Sequence, residues 1–483
     1  MRQVCNEVDG MNSQTDVLER VLAKLDEGQG DALDRLFSFI AVESISTDPA
    51  YSEQCLDAAK LAAGYLEQAG FEAEVAPTTG HPMVLGKYRS KANEDGPHLL
   101  FYGHYDVQPV DPLSEWSRPP FAAEIIEDPL NGKVIHGRGS SDDKGQLLTF
   151  IEAARAWHEV TGDLPVNVTV LLEGEEECGS PSLDGFLEQR GQDVRADFAL
   201  ICDTLQWDKD TPAITSMLRG LAGVEINIEG PNRDLHSGMY GGPALNPIRA
   251  LNKALAALYD DEGRVAVPGF YDNIAEPDPS MAAQWRSLDF DDKGFLADIG
   301  LTKPHGESSY HLLEQLWCRP TIEINGIWGG YIGPGQKTVI PSRANAKLSF
   351  RLVAGQQPEA ILEAVQQFLR AQFDGDVKVS FSLPDGSPAV AFDLTKPHMD
   401  VARQALKDEF EREPVMLGCG GSIPIVEAFM SQLDMDCLLV GYALNDDCIH
   451  APNEKYNLSS FQKGCRAFAR MLSGFSDQDK ASP

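Results

Sequence analysis

The spacing of hydrophobic residues in the first part of the chain alternates between helical and strand patterns. Apolar residues three and four positions apart predict helices in "TDVLERVLAKLDE" and "EQCLDAAKLAAGYLEQAG". Short, nearly continuous apolar runs predict buried strands in "HLLFYG", "VNVTVLL" and "DFALIC". Because buried strands alternate with helices in α/β proteins, we expect a central mixed sheet flanked by helices.

The hydrophobic pattern changes after about residue 213. The segments "GLAGVEINIEG", "TIEINGIWGG" and "AKLSFRLV" alternate with period two, as half-exposed antiparallel strands do, and amphipathic helices lie between them. From about residue 394, "TKPHMDVARQALKDEF" and "DMDCLLVGY" resume the earlier pattern. The sequence therefore predicts one domain formed by residues 1–212 and 394–483, with an α+β domain inserted at 213–393.

Composition and charge narrow the classes of function. With 42% hydrophobic and 24% charged residues the chain has a globular composition, and no segment has the length and apolarity of a membrane span. The net charge of -34 is spread along the chain, which argues against nucleic acid or an anionic membrane as a partner. Nine cysteines occur singly, which favours reduced thiols over disulfides. The first residues contain no apolar signal core, so we expect a cytoplasmic protein.

Residues with metal-binding side chains follow the predicted buried strands or lie in a glycine-rich turn that enters a helix. They are His104 and Asp106, Asp142 and Asp143, the glutamates Glu173, Glu175, Glu176 and Glu177, Asp203, and His450. Ligands of open α/β sheets bind outside the carboxyl ends of the strands. We therefore expect these five segments to meet at one edge of the sheet.

Each candidate taken alone has an ordinary structural explanation. The glutamate run is typical of a solvated surface, His104 of a core histidine, Asp142 of a helix cap, and Asp203 and His450 of loop or surface residues. The "GRGSSD" turn suggests phosphate binding only weakly, because it lacks the third glycine of GxGxxG and the lysine of a P-loop. The joint occurrence of these residues at strand ends favours a metal site.

The types of candidate ligand indicate which metal the site would hold. Mixed imidazole and carboxylate ligands suit zinc, with manganese or cobalt as alternatives, and no cysteine pattern points to a structural site. Two imidazoles and three carboxylates suffice for two ions that share a bridging carboxylate, and metal pairs about 3.5–4 Å apart are usual in hydrolases. The sequence therefore predicts two divalent metal ions per subunit.

Five motifs in order carry a resemblance to a known family: "GHYDVQP", "GRGSSDDKG", "EEECGS", "DLHSG" and "GGSIP". They resemble the motifs of the dinuclear zinc peptidases related to carnosinase and cytosolic nonspecific dipeptidase. Glutamate carboxypeptidase, acetylornithine deacetylase and succinyl-diaminopimelate desuccinylase are more distant relatives. The resemblance covers residues from about 30 to 475. It implies a catalytic domain with an inserted lid and dimerisation domain, in agreement with the change of pattern near residue 213.

The resemblance also implies the metal ligands. His104 and Asp203 resemble the ligands of one ion, Glu177 and His450 those of the other, and Asp142 the carboxylate that bridges them. The peptide bond after Asp142 is expected to be cis, as in the family.

Further roles follow from the same resemblance. Asp106 resembles the acid that accepts the second imidazole N–H of His104 and fixes its tautomer. Glu176 resembles the general base, which takes a proton from a metal-bridged water and passes it to the leaving amine. Glu173 and Glu175 are expected in scaffold or solvent-facing positions.

Residues of the inserted domain and of the returning segment resemble the substrate-binding residues of the family. They are His236, Thr338, Arg351 and Ser422, which the resemblance implies hold the substrate's carboxylate and the tetrahedral oxyanion. The family forms a homodimer through the lid, and His236 is expected to act on the site of the neighbouring subunit.

The chain departs from its close relatives at two places. They often carry a charged residue just before "GGSIP", where this chain has Gly418 and Cys419, and Cys178 stands where a small serine is common. The first departure leaves recognition of the substrate's amino group open.

Three functions are compatible with these features. The resemblance implies a metal-dependent hydrolase that cleaves dipeptides or short peptides with a free C-terminal carboxylate. An N-acyl amino acid deacylase or carbamoylase would use the same metal chemistry on a different amide. A non-catalytic peptide-binding protein on the same fold would be expected to lack a ligand or the base, and none is missing.

Overall fold

The computed structural model describes residues 2–382, 386–421 and 423–477, with side chains from residue 15 onward. The chain forms two compact units. They are unit 1, formed by Met1–Thr215, Phe392–Leu417 and Pro424–Pro483, and unit 2, formed by Ser216–Ala391 and Gly418–Ile423. The hydrophobic pattern changes near residues 213 and 393, close to two of these boundaries. The short return of the chain to unit 2 after residue 417 has no counterpart in the pattern.

The strands and helices are numbered here in chain order. The strands are β1 Glu72–Ala76, β2 Met83–Tyr88, β3 His98–His104, β4 Glu124–Asp128, β5 Gly132–His136, β6 Asn167–Glu173, β7 Phe198–Ile201, β8 Ala213–Leu218, β9 Gly220–Glu229, β10 Leu235–His236, β11 Thr321–Gly329, β12 Val339–Ile340, β13 Arg343–Leu352, β14 Lys378–Ser382, β15 Val390–Ala391, β16 Val415–Cys419, β17 Asp436–Leu439 and β18 Lys455–Asn457. The helices are α1 Arg2–Glu27, α2 Gln29–Ile40, α3 Ser52–Gln68, α4 Lys144–Thr161, α5 Leu183–Val194, α6 Ser237–Tyr240, α7 Pro247–Ala256, α8 Pro279–Ser287, α9 Asp292–Asp298, α10 Leu312–Trp317, α11 Pro358–Ala371, α12 Pro397–Phe410, α13 Pro424–Leu433 and α14 Leu458–Phe475. In the described part of the chain, no helix combines the length and the apolarity that a bilayer span requires.

Unit 1 is built around a mixed sheet with the strand order β1-β2-β6-β3-β7-β17-β8. Strands β6, β3, β7 and β17 run parallel to one another, whereas β1, β2 and β8 are antiparallel to their neighbours. The four parallel strands are the apolar runs that the sequence predicts as buried. Because parallel strands end at the same edge of a sheet, the segments that follow them converge there.

Helices cover both faces of this sheet, as predicted. Adjacent residues of β3 point to opposite faces, and each meets aromatic side chains from a different set of helices. Phe101 stacks on Phe150 of α4 at 4.0 Å between ring centroids and meets Phe468 of α14 edge to face at 6.0 Å. Tyr102 meets Phe429 of α13 at 6.0 Å. Burying rings of this size contributes roughly 1.5–3 kcal/mol per side chain.

A smaller antiparallel sheet of unit 1, with the order β18-β5-β4, connects distant parts of the sequence. Its outer strand β18 pairs with β5 so that Lys455 lies opposite His136. The loop before β18 is thereby held next to the glycine-rich turn that follows β5. This pairing is important for the site described below.

Unit 2 contains an antiparallel sheet in the order β11-β13-β9-β14, as its period-two pattern predicts. Every second residue of β9 and β13 is buried, from Ala222 to Ile228 and from Ala344 to Leu352. These residues form one hydrophobic core with Leu251 of α7 and Val365 of α11. The opposite face of the sheet carries the polar positions of the pattern, including Arg351.

Candidate dinuclear metal site

The parallel strands of unit 1 bring three of the predicted segments to one edge. His104 is the last residue of β3 and lies opposite Glu173, the last residue of β6. Tyr102 lies opposite Ile201 of β7. His104 and Asp203 each follow two residues later in the same direction, so they lie side by side. The strand register therefore determines which residue types meet at this edge.

The pairing of β18 with β5 brings in the other two segments. Lys455 pairs with His136, six residues before Asp142, while His450 lies in the loop that leads into β18. His450 adopts a left-handed backbone conformation with a φ of 60°, which is uncommon for a residue other than glycine. This conformation directs its imidazole towards Asp142, with 3.0 Å between His450 Nε2 and the carboxylate.

The five predicted ligands form two groups that share one carboxylate. In the first, His104 Nε2 lies 2.9 Å from Asp142 Oδ1 and 3.9 Å from Asp203 Oδ2. In the second, His450 Nε2 lies 3.0 Å from Asp142 Oδ2 and 3.0 Å from Glu177 Oε2. Within each group the potential ligand atoms lie within 4.8 Å of one another. Each oxygen of Asp142 thus faces a different imidazole.

These distances fit two metal ions. Ligand atoms about 2.0–2.1 Å from a tetrahedral zinc ion lie about 3.3 Å from one another, which is close to the observed spacings. The shared carboxylate would then bridge the two ions. The donor set of imidazole and carboxylate is the one that zinc accepts in catalytic sites.

The electrostatics of the buried carboxylates also favour bound cations. Burial, together with the charges of Asp142 and Glu177, raises the pKa of Asp203 to about 7 against the opposing effect of the imidazoles. Burial also acts to raise the pKa of Asp142, but hydrogen bonds with His104 and His450 outweigh it and hold that pKa below the usual range. Several carboxylates thus share two imidazoles as their partners. Divalent cations would neutralise the negative charge of these carboxylates.

Asp106 lies behind His104, as the resemblance implies. It is fully buried, and its Oδ1 lies 3.3 Å from His104 Nδ1. The backbone carbonyl oxygen of Asp106, at 3.2 Å, is a second possible acceptor for the same nitrogen. A proton on Nδ1 leaves Nε2 free to bind a metal. The same carboxylate accepts the backbone N–H groups of Glu176 and Glu177 at 3.3 and 3.1 Å. One acid therefore orients both a predicted ligand and the turn that carries the glutamates.

Two of the four clustered glutamates are structural. Glu173 is fully buried and accepts a 2.7 Å hydrogen bond from the hydroxyl of Tyr102. Glu175 is 4% exposed and accepts the backbone N–H groups of His81 and Ser182 at 3.0 and 3.2 Å. The expectation of scaffold positions is therefore confirmed, and the alternative of solvent-facing positions is wrong, because both carboxylates have internal donors.

The other two glutamates begin the 3-10 turn Glu176–Cys178. Gln108 Nε2 donates to Glu177 Oε2 at 2.7 Å and to its carbonyl oxygen at 3.1 Å, which holds that carboxylate in the second group. Glu176 is half-buried, and burial raises its pKa to about 8, with neighbouring acids adding to the effect and His104 opposing it.

Glu454 is a fully buried residue of the site that is not predicted from the sequence. Its carboxylate accepts the backbone N–H groups of Gly139, Ser141 and Asp142 at 2.9, 2.9 and 3.0 Å and pairs with Arg138 at 2.7 Å. It thereby fastens the turn that presents the shared carboxylate. Its position in the same loop as the predicted ligand His450 indicates that it is close to the site. The sequence of the loop, however, does not show which way its side chain points.

The turn after β5 has a second distinctive feature. The peptide bond between Asp142 and Asp143 is cis, as the resemblance implies. Asp143 Oδ2 accepts the backbone N–H of His104 at 3.1 Å, so this turn is also connected to the end of β3.

Three of the four predicted substrate-binding residues are described by the structure, and these three lie in unit 2. The short strands β10 and β12 pair His236 with Val339, and the N–H of Ser237 donates to the carbonyl oxygen of Thr338 at 3.0 Å, which brings "DLHSG" beside "QKTVIP". His236 is exposed, and its Nδ1 accepts the N–H of Gly238 at 3.0 Å. The hydrogen of its neutral imidazole is therefore on Nε2, which is available to a ligand.

Arg351 is on β13 and is half-buried on the outward face of the sheet. The predicted residue Ser422 lies outside the described residues. The structure thus brings together His236 and Thr338 within unit 2 and the five predicted metal ligands within unit 1.

Two metal-binding groups that share a carboxylate are typical of a dinuclear metallohydrolase. Comparison with known proteins agrees: residues 100–474 match peptidase family M20/M25/M40. The chain therefore belongs to this family, whose members bind divalent metal ions.

Named relatives extend over nearly the whole chain. The Cys-Gly metallodipeptidase DUG1 of Candida albicans is 30% identical over 94% of this chain and 96% of its own length. The beta-Ala-His dipeptidase of Homo sapiens is 29% identical over 94% of this chain and 92% of its own length. The crystal structure of human carnosine dipeptidase 1 superposes with a TM-score of 0.75 at 28% identity, covering 96% of this chain and 99% of that chain.

The shared carboxylate leads to a prediction about metal content. Asp203→Ala should lower the content from about two ions per chain to about one, because it removes a ligand of one group only. Asp142→Ala should reduce binding of both ions, because it removes the shared ligand. Metal analysis after dialysis and gel filtration measures both, and Asp210→Ala, an exposed acid of the same loop, is the control. Two ions retained in the Asp203 variant would contradict the arrangement.

Proposed function

We propose that this protein is a metallodipeptidase that hydrolyses the amide bond of dipeptides or short peptides with a free C-terminal carboxylate. The observation that carries the proposal is the pair of ligand groups that share Asp142. Relatives named as dipeptidases match nearly the full length of the chain, which supports the same class of substrate.

In this proposal the two groups hold two divalent ions. His104 and Asp203 would hold one ion, Glu177 and His450 would hold the other, and Asp142 would be shared between them. Imidazole and carboxylate donors support zinc, with manganese or cobalt as alternatives. When bound, the ions would polarise the scissile carbonyl and lower the pKa of the attacking water.

Glu176 is the general base of the proposed reaction. It directly precedes the ligand Glu177 and belongs to the same 3-10 turn, which Asp106 holds through both backbone N–H groups. Its carboxylate accepts a proton from the attacking water and delivers that proton to the leaving amine nitrogen. The turn keeps the base in a constant position relative to the ligand, so one scaffold serves both functions.

Two buried acids orient the ligands. Asp106 fixes the tautomer of His104, and Glu454 holds the turn that carries Asp142 through three backbone N–H groups. Neither needs to touch the substrate. Their role is to keep the donor atoms in place before a metal or a peptide binds.

The substrate's carboxylate and oxyanion are bound by residues from other segments of the chain in this proposal. His236, Thr338, Arg351 and Ser422 have these roles. Arginine suits the carboxylate because its planar guanidinium donates two parallel hydrogen bonds. The free Nε2 of His236 is a suitable donor to an oxyanion.

We further propose that unit 2 is the lid and forms a homodimer in which His236 acts on the partner's site. Strand β11 is an edge of its sheet and exposes Ile324, Ile327 and Trp328 at 41%, 49% and 43%. Exposed apolar residues on an edge strand favour pairing with another chain. This surface supports a two-fold interface, which makes any exchange of residues reciprocal.

A cytoplasmic location is part of the proposal as well. The cysteines with described side chains are free, including the exposed Cys178 and Cys448. Free thiols are typical of a reducing compartment.

A substrate panel tests the proposed activity. Dipeptides should be hydrolysed after loading with zinc or manganese, whereas their C-terminal amides should be much poorer substrates because they lack the carboxylate. Amine release measured by a ninhydrin or coupled assay gives kcat/KM for each compound. N-acyl and N-carbamoyl amino acids belong in the same panel, and turnover confined to them would replace the dipeptidase by a deacylase or carbamoylase.

Replacing the base should separate chemistry from metal binding. Glu176→Gln keeps the shape of the side chain but accepts no proton, so kcat should fall by about 100-fold or more while two ions remain bound. Steady-state kinetics and metal analysis of the same preparation provide both values. Glu188→Gln, an exposed glutamate of unit 1, is the matched control. Near-normal turnover by the Glu176 variant would rule it out as the base.

Mixing two inactive variants tests the exchange of His236 between subunits. His236→Ala and Glu176→Gln homodimers should each be nearly inactive, but a mixed dimer would have one site with an intact base and an intact partner histidine. Random reassociation after co-refolding should restore roughly a quarter of the wild-type activity, because half of the dimers are mixed and each has one complete site of two.

Two differently tagged chains allow the mixed dimers to be isolated and counted. The absence of recovery in verified mixed dimers would place His236 in its own subunit's site or remove it from the reaction.

A further inference from the structure

Two arginines of unit 2 lie near each other at the start of its sheet. Arg351 of β13 pairs with Leu221 of β9, and Arg219 lies two residues before Leu221. Arg219 lies just before β9, one residue beyond its last pair, Gly220 with Leu352, and the charge of Arg351 acts on it. Both side chains are half-buried.

Among the described side chains, these two differ from the other buried and half-buried arginines in having no acidic partner. Among the residues that the structure describes, neither has a carboxylate oxygen within 4.0 Å. Every other buried or half-buried arginine with a described side chain has such a partner, namely Arg35, Arg138, Arg155, Arg190, Arg319, Arg403, Arg466 and Arg470. In the part of the chain that the structure describes, every partly buried guanidinium group except these two therefore has a carboxylate partner.

The loop beside Arg219 offers it only uncharged groups. Arg219 Nε donates to the carbonyl oxygen of Gly420 at 3.3 Å. Gly418 has no room for a side chain, because an added Cβ would lie 2.3 Å from Trp317 Cβ. A charged side chain at position 418 would therefore clash with Trp317.

The absence of a close counter-ion changes the pKa of Arg219. Burial and the like charge of Arg351 lower the pKa of Arg219 to about 10, and Glu323, the nearby acid, opposes this only in part. Glu323 is exposed on β11, where water screens its charge. Two partly dehydrated cations without a close counter-ion are unfavourable in the free protein, and an anionic ligand would relieve the repulsion.

We propose that Arg219 and Arg351 together recognise a substrate with two carboxylates, so that the protein prefers dipeptides whose C-terminal residue is aspartate or glutamate. The proposal rests on the dipeptidase function, in which Arg351 binds the terminal carboxylate. Arg219 adds a binding site for the side-chain carboxylate, which is only one or two methylene groups beyond the α-carbon. A single carboxylate would balance one guanidinium and leave the other uncompensated.

Matched peptides test this preference. Ala-Glu and Ala-Gln have nearly the same shape and differ in one charge, so the ratio of their kcat/KM values measures recognition of the second carboxylate. In the wild type this ratio should be on the order of tenfold or more in favour of Ala-Glu, as expected for a charge-assisted hydrogen bond in a partly buried site. In Arg219→Gln it should fall to about one.

The same measurements distinguish the possible failures. Arg370→Gln removes an exposed arginine of unit 2 and should keep the wild-type ratio, which controls for net charge. A wild-type protein that hydrolyses Ala-Glu and Ala-Gln equally well would overturn the inference while leaving the dipeptidase function intact. An unchanged ratio in folded, metal-loaded Arg219→Gln would also overturn it. If the metal-loaded wild type hydrolyses no dipeptide, the proposed function itself fails.

Discussion

The repulsion among carboxylates around Asp142 is the constraint on which the site depends. Asp142, Asp203 and Glu177 contribute oxygens to two groups of potential ligands. Within each group, the ligand atoms lie within 4.8 Å of one another. At about 4 Å two such charges repel by roughly 1 kcal/mol in water and about 4 kcal/mol near a protein surface. Among the described residues, the imidazoles of His104 and His450 are the basic groups that contact them. The negative charge of the site therefore favours the binding of divalent cations. Because the carboxylates repel one another, the surrounding protein has to hold them in place.

The surrounding protein maintains that geometry through backbone hydrogen bonds to buried acids. Asp106 accepts two N–H groups of the glutamate turn, and Glu454 accepts three from the turn that carries Asp142. Strand register places His104 beside Asp203, and the buried Asp143 accepts the backbone N–H of His104. Strands thus position His104 and Asp203, and buried acids hold the turns that supply Asp142 and Glu177.

The sequence revealed those features that depend on local pattern. Apolar runs predicted the parallel strands, and the polar residues after them predicted which segments meet, because strand direction determines where strand ends lie. The roles of Glu454 and Arg219 were not predictable in this way. Glu454 acts through contacts with residues more than 300 positions away, such as Arg138. That Arg219 lacks a carboxylate partner becomes apparent only when its neighbours in space are known. Long-range partners of single charged residues leave no periodic signal.

The dependence of the turn after β5 on Glu454 has a consequence for the order of folding. The two segments are separated by more than 300 residues, and all of unit 2 lies between them in the sequence. Closing so long a loop is entropically costly, so it is expected late in folding. During synthesis, a nascent chain would already expose His104, Asp142 and Asp203 at the sheet edge while His450 was still in the ribosome. Full metal affinity would thus arise only after the last strand had docked.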